Sequence, residues 1–338
     1  MNANETTIAW VGGMFFMQGM AGHGFRAVHI PLTKPQALGW EDICERCGCE
    51  PDAVVYTDRS LPPPLVGVER FPCLTAFYCI DSHIHGWYPL YASAFDLCAV
   101  SLHGHVDQFA QALSPGRVIW LPGFAVDRFQ PRETEKLFDL LFVGTVDPET
   151  TPQRCDFLDR LRAEFPNLAV RRGDFAELMP QARVVLNIAE RGDLNFRVFE
   201  SLACGSCLLT PRIANGQDEL FTDGEHLMLY EPDDAADCAA KARSLLADHA
   251  LRVRLAQSGL ARVNAAHRPG HRAGSLAALL RRGFAAGLPS HRLAAANVDQ
   301  KAALRLLWLH WAEHCGDAAL AARYLAEARA LAAPREHA

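Results

Sequence analysis

The chain has 338 residues, half of them apolar, enough to bury a sizeable core and to divide into two domains. A formal charge of −6 with Lys and Arg scattered rather than clustered excludes the electrostatic footprint of a nucleic-acid binder. The apolar stretch near the amino terminus has no basic region before it, and glycines interrupt it well short of the ~20 residues of a membrane span, so a cytoplasmic protein is expected.

Short β-type runs come first: TIAWV (7–11), RAVHI (26–30), AVVY (53–56), CLTAFYC (73–79), LCAVS (97–101) and RVIWL (117–121). Nearly continuous apolar strands separated by crossovers argue for a parallel sheet covered on both faces. The stretch from Pro122 to Pro131 suits a linker. The pattern then restarts with DLLFVG (139–144), LAVRR (168–172), RVVLNI (183–188), CLLTP (207–211) and LMLYEP (227–232), a second α/β unit. From about residue 234 the sequence is helical, and it ends in a hairpin with Gly316 closing one helix and Asp317 capping the next. The expected division is 1–130, 131–285 and a helical extension 286–338. That hairpin is expected to pack on the body, or to meet a second copy or a partner through residues 299–331. The 11 cysteines, odd in number and set in apolar segments, fit reduced core thiols.

In open α/β sheets ligands bind beyond the carboxyl ends of the strands, so the residues after each strand carry the chemistry. After RVVLNI a helix starts at Leu194 or Asn195 and stops at Gly205; its free amino end, with Asn195 and Arg197 in the first turn, suits a diphosphate. Glu200, one to two turns on, can accept hydrogen bonds from the vicinal hydroxyls of a ribose, or can form a surface ion pair with Arg197 at i, i+3. Gly144 and Thr145 close the first strand of the second domain, where a glycine lets a loop approach phosphates, and Arg154 is a further phosphate candidate. Asn215 and Gly216 offer a turn whose amides could meet the donor sugar, and Gly13 belongs to a small backbone platform after the first strand. In the first domain, FYCIDSHIH (77–85) ends a buried-type strand in Asp81 and His83, either of which could take a proton from an acceptor hydroxyl. The pairs His83/His85 and His103/His105 lack a third ligand, and Cys44, Cys47 and Cys49 lack a second ligand pair at zinc spacing, so no metal is expected.

The segment NIAERGDLNFRVFESLACGSCLLTP (187–211), continued by Asn215, Gly216 and QDELFTDGEHLMLY (217–230), resembles the carboxyl-terminal domain of the CgeB-like, spore-maturation glycosyltransferases. YCIDSH (78–83), AFDL (94–97), LPGFAVDRFQP (121–131) and DLLFVG (139–144) follow in the family's order, so the likeness spans roughly residues 6–285. It implies the GT-B fold: two doubly wound Rossmann-like α/β domains facing a cleft, here with a helical carboxyl-terminal extension. It also implies a nucleotide-diphosphate sugar as co-substrate, no cofactor and no tightly bound metal, with Glu200 at the ribose and Asn195 and Arg197 at the phosphates. One departure is that Glu190 and Glu200 lie ten apart where relatives have a Glu-x7-Glu pair. The reading is a glycosyltransferase moving a sugar to an unidentified acceptor, a glycan, protein or small molecule. A nucleotide-binding scaffold acting through the helical tail, and a nucleotide-sugar epimerase, stand as alternatives.

Overall fold

The computed structural model describes residues 5–295 and 297–332. By its internal contacts the chain forms two compact units: residues up to Leu121 together with those from Ala273 onward, and Pro122–Arg272.

The first unit is built on six parallel strands, β1 (Thr6–Gly12), β2 (Phe25–Ile30), β3 (Ala53–Thr57), β4 (Leu74–Cys79), β5 (Leu97–Val100) and β6 (Val118–Trp120), in the order β2-β1-β3-β4-β5-β6. Every residue of β3, β4 and β5 is buried, as strands covered on both faces require. Helices α1 (Trp40–Cys47), α2 (Tyr88–Ala92) and α3 (Val106–Leu113) cross over between strands. The second unit holds five parallel strands, β7 (Phe138–Val143), β8 (Leu168–Arg171), β9 (Ala182–Leu186), β10 (Leu208–Pro211) and β11 (Met228–Tyr230), in the order β11-β10-β9-β7-β8. Its helices are α4 (Pro152–Glu164), α5 (Phe175–Leu178), α6 (Phe196–Ala203), α7 (Gln217–Leu220), α8 (Ala235–Ala247) and α9 (His249–Ala266). Helix α10 (Pro269–Ala285) starts in the second unit and continues into the first. It is followed there by α11 (Leu288–Ala294), α12 (Val298–His314) and α13 (Ala318–Ala332).

Two segments belong elsewhere than their composition implies. Pro122–Pro131 is not a loose connector: Phe124, Ala125 and Phe129 are buried in the second unit, the Ala125 amide donates to the His267 carbonyl at 3.0 Å, and buried Arg272 donates to the Pro122 and Gly123 carbonyls at 2.7 and 2.6 Å. Residues 273–285, expected with the donor domain, pack against the first sheet. A Cβ on Gly283 would come within 2.9 Å of Leu97 and 3.0 Å of Leu74.

The helical tail completes the first core. Leu304, Leu307, Trp308, Leu320, Tyr324 and Ala328 join the cluster formed by Tyr56, Phe77 and Tyr91. Trp308 stacks on Tyr324 at 5.6 Å and meets Tyr91 edge-on at 6.0 Å, while the Tyr324 hydroxyl donates to the Pro63 carbonyl at 2.9 Å. Arg292 of α11 is clamped by Asp96 (2.9 Å) and by the carbonyls of Val68, Phe71 and Cys73. With both side chains almost wholly buried, losing either partner would strand a charge. Gly316 has φ +68° and the Asp317 carboxylate accepts the Leu320 amide at 2.9 Å, so the hairpin turns where the sequence places the turn. No helix among the described residues is long and apolar enough to cross a membrane.

Candidate functional site

In the second unit, α6 begins beside the carboxyl ends of β7 and β9, with Asn195 in extended backbone as its N-cap. The Asn195 side chain does not cap; its Nδ2 donates to the Ile188 carbonyl at 3.3 Å, while its own carbonyl accepts the Val198 amide at 3.2 Å. Arg197 lies between two rings, its guanidinium carbon 5.3 Å from the Phe142 centroid and 4.7 Å from Phe175. Burial lowers its pKa to about 10, with Arg154 adding to the effect and Glu200 opposing it, so it remains a cation at neutral pH. Arg154 also lies near the Phe142 ring, 5.8 Å from the centroid; it pairs with Glu190 at 3.1 Å and donates to the Thr145 carbonyl at 2.8 Å. Gly144 fits because a Cβ would reach 3.0 Å from the Phe142 ring and 3.4 Å from an Arg197 nitrogen. Asn215 donates to the Gly192 carbonyl at 2.7 Å, and Gly216 has φ +88°, tying that turn to the loop after β9.

Glu200 makes no ion pair with Arg197 among the described residues, so the surface pair anticipated for it is absent. Burial pushes its carboxyl up to about 7, against the attraction of Arg197 and Arg128. The strip around it holds further buried polar atoms without a hydrogen-bond partner: Arg154 Nε, Asn187 Oδ1, Glu190 Oε1, Asn195 Oδ1 and Arg197 Nε. Each such atom costs about 1–3 kcal/mol when nothing meets it, and the first unit has such atoms as well, among them Ser82 Oγ, Trp87 Nε1 and His105 Nδ1. A cavity of 610 Å³ opens here between Arg154, Phe157, Glu190, Gly192, Tyr230 and Asp233; Arg197 and Glu200 do not line it. A larger cavity of 750 Å³ lies at the opposite, amino-terminal edge of the sheet, and its cations are already engaged. Arg183 is held by Asp139, Arg252 by the Leu245 and Leu246 carbonyls, and Lys136 by the Pro180 carbonyl.

The first unit has its own polar edge. Gly13 sits there but offers no open platform through its carbonyl, which accepts from Trp10 Nε1 at 2.7 Å and the Thr57 hydroxyl at 2.8 Å. Asp81 follows β4 and accepts from the Ser60 hydroxyl; His83 is two residues beyond, half-buried. Asp58, after β3, is a residue the sequence reading passed over. It is 2% exposed, and its Oδ1 accepts from the Ser60 amide (2.9 Å), Tyr88 (3.0 Å) and Tyr56 (3.3 Å). Its signal was available, since AVVYTD ends a buried strand in an acid just as FYCID does. The Phe142 and Phe175 sandwich had no such signal. His85 stacks on Trp87 and His103 lies against Trp120. Cys47 and Cys49 are free thiols with their sulfurs 3.8 Å apart. Among the described residues no group of three or more His, Cys, Asp or Glu side chains could hold a metal ion.

Two parallel sheets, one in each unit, with the candidate residues beyond the carboxyl ends of their strands, define the class: a two-unit α/β fold. The family model described as glycosyl transferase-like matches residues 154–278, which include α6. No curated protein matches the chain. Among solved structures, Anabaena HepE in complex with UDP is similar at 10% identity, with a TM-score of 0.60 over 82% of this chain and 100% of that one. Sucrose-phosphate synthase from Thermosynechococcus elongatus is similar at 12% identity and a TM-score of 0.55, over 83% and 100%. TarM aligns at 8% identity and a TM-score of 0.52 over 67% of this chain, which spans 54% of the TarM chain. These likenesses establish the fold, that of the GT-B glycosyltransferases with a helical carboxyl-terminal part.

Proposed function

We propose that the chain is a glycosyltransferase that moves a sugar from a nucleotide-diphosphate sugar to an acceptor hydroxyl, of the CgeB-like type and without a tightly bound metal. The observation that carries this reading is the set of buried, unpartnered polar atoms that includes Arg197 Nε and Asn195 Oδ1, at the amino end of α6, where no side chain caps the helix. The glycosyl transferase-like match over residues 154–278 and the UDP and UDP-glucose complexes of Anabaena HepE support it. In this reading the unit Pro122–Arg272 holds the donor and the unit built on the residues up to Leu121 supplies the acceptor side.

Arg197 and the first-turn amides of α6 receive the diphosphate, with Asn195, Gly144, Thr145 and Arg154 beside them. Because negative charge grows on the diphosphate as the sugar leaves, a cation held between two rings stabilises the transition state without having to reorganise. Glu200, as a carboxylate, accepts from the ribose hydroxyls, and the Asn215-Gly216 turn lies by the sugar. On the acceptor side Asp81, or His83, takes the hydroxyl proton. Transfer or release of sugar from a panel of nucleotide-diphosphate sugars tests the proposal directly. Turnover with one of them that is lost in Arg197→Ala is expected; no turnover and no nucleotide binding across the panel would overturn it.

A further inference from the structure

The loops leaving β1 and β3 each hold a non-glycine residue in the left-handed region, Phe15 at φ +40° and Ser60 at φ +53°. Such conformations cost free energy and persist only where surrounding contacts enforce them. Both loops flank the point where the strand order reverses, since β2 lies on one side of β1 and β3 on the other.

What enforces the Ser60 conformation is visible. The buried Asp58 carboxylate takes the Ser60 amide on Oδ1, and its Oδ2 lies 3.4 Å from the Asp81 amide. The Asp58 amide itself donates to the Tyr78 carbonyl at 3.0 Å. Asp58 thus staples the loop after β3 to the loop after β4, and the tyrosine hydroxyls of Tyr56 and Tyr88 satisfy the rest of its Oδ1. Burial, with the charge of Asp81 adding, holds the Asp58 carboxyl above the ordinary range, as expected of an acid placed for structure rather than solvation. With its backbone fixed in this way, Ser60 directs its hydroxyl to Asp81 Oδ2. Asp81 is the more open of the two acids and enters no ion pair among the described residues.

We propose that Ser60 is a positioning residue for Asp81 in sugar transfer, held in a strained backbone by Asp58. The inference rests on the glycosyl-transfer reading. The Ser60 hydrogen bond fixes one carboxylate oxygen and leaves Oδ1 for the acceptor. In the step it serves, the acceptor O–H proton passes to Asp81 Oδ1 as the acceptor oxygen bonds to the anomeric carbon. The bond from that carbon to the diphosphate breaks, its electron pair leaves with the nucleoside diphosphate, and the proton is later released from Asp81 to water. Neither Ser60 nor Asp58 touches substrate.

The test compares Ser60→Gly, Ser60→Ala and Ser60→Thr in the full chain. Glycine relieves the positive φ, so Ser60→Gly is expected to melt at or above the parent temperature while kcat falls about tenfold, the loss of one hydrogen bond, and donor KM stays unchanged. Ser60→Ala should lose kcat equally, and Ser60→Thr, which keeps the hydroxyl, should keep kcat while melting below the parent, because a β-branched residue is disfavoured at this positive φ. A purely structural serine would shift the melting temperature and spare kcat, so parent-like kcat in Ser60→Gly, or an equal loss of donor affinity, overturns the inference. A parent chain inactive toward every nucleotide sugar overturns the glycosyl-transfer reading first, before any variant is compared, and this inference with it.

Discussion

At the carboxyl edge of β3 and β4 a buried acid is enclosed by hydroxyls, whereas at that of β7 and β9 two arginines flank a phenylalanine ring. Both sheets are parallel, yet the groups at these two carboxyl edges carry opposite charge. Asp58 has its Oδ1 taken by Ser60, Tyr56 and Tyr88, so this acid is held as a structural group. The Arg197 edge is unfinished: rings cover the guanidinium faces, and Nε meets nothing. The difference teaches where a ligand contributes. A buried acid with its hydrogen bonds made orients its neighbours, and a buried cation with an unmet N–H is suited to an anion.

Experiments can break or sharpen that contrast. The largest expected effect is on stability: Arg292→Ala should cost about 3–5 kcal/mol, because it leaves the fully buried Asp96 carboxylate unpaired, read as a lower chemical-denaturation midpoint. Arg292 and Asp96 lie at the amino end of β5, away from both carboxyl edges, so nucleotide affinity of the still-folded fraction should stay at the parent value. Next, Asp81→Asn should lower kcat roughly 100-fold or more, about 3 kcal/mol, with donor affinity unchanged; His83→Ala reports the alternative base. Unchanged kcat in both would remove the first edge from the chemistry. Arg197→Ala should weaken nucleoside diphosphate binding by about 2 kcal/mol, roughly 30-fold, as expected for a charge-assisted contact.

The smallest effect is a pH dependence. With its carboxyl raised to about 7, Glu200 is protonated below that pH and cannot accept from both ribose hydroxyls, so affinity should fall as pH drops through about 7. The stability sign is the reverse. A folded-state pKa above the ordinary 4.5 gives stability that is present below 4.5 and is lost as pH rises through about 7. Glu200→Gln should flatten both curves, checked by calorimetry and thermal melting across pH 5.5–8.5 at roughly half-unit steps.

Much of this was legible in the chain. Continuous apolar runs such as AVVY and CLTAFYC declare buried parallel strands, and Gly316-Asp317 declares the tail's turn, because both signals are local. Arg197 and Glu200 stand out for the same reason, being polar residues in an apolar helix after a strand. What was hidden depends on distant partners. The apolar face of α12 does not say that Tyr91 and Tyr324 will receive Trp308, and nothing near Pro122 announces that Arg272 will bind its carbonyl. The rings that lie against Arg197 come from 55 and 22 residues upstream, Phe142 and Phe175. Backbone strain at Ser60 cannot be seen in the letters TDRSLPPP, since the Asp58 contacts that impose it exist only after folding.

The central claim is that the edge carrying Arg197 and Glu200 binds a nucleoside diphosphate while the edge carrying Asp81 does not contribute to that binding. Isothermal titration of UDP into the parent, Glu200→Ala and Asp81→Asn chains tests it in one series. The account predicts binding to the parent, about tenfold weaker binding to Glu200→Ala and parent-like binding to Asp81→Asn. Parent-like affinity in Glu200→Ala, or a loss confined to Asp81→Asn, would contradict it.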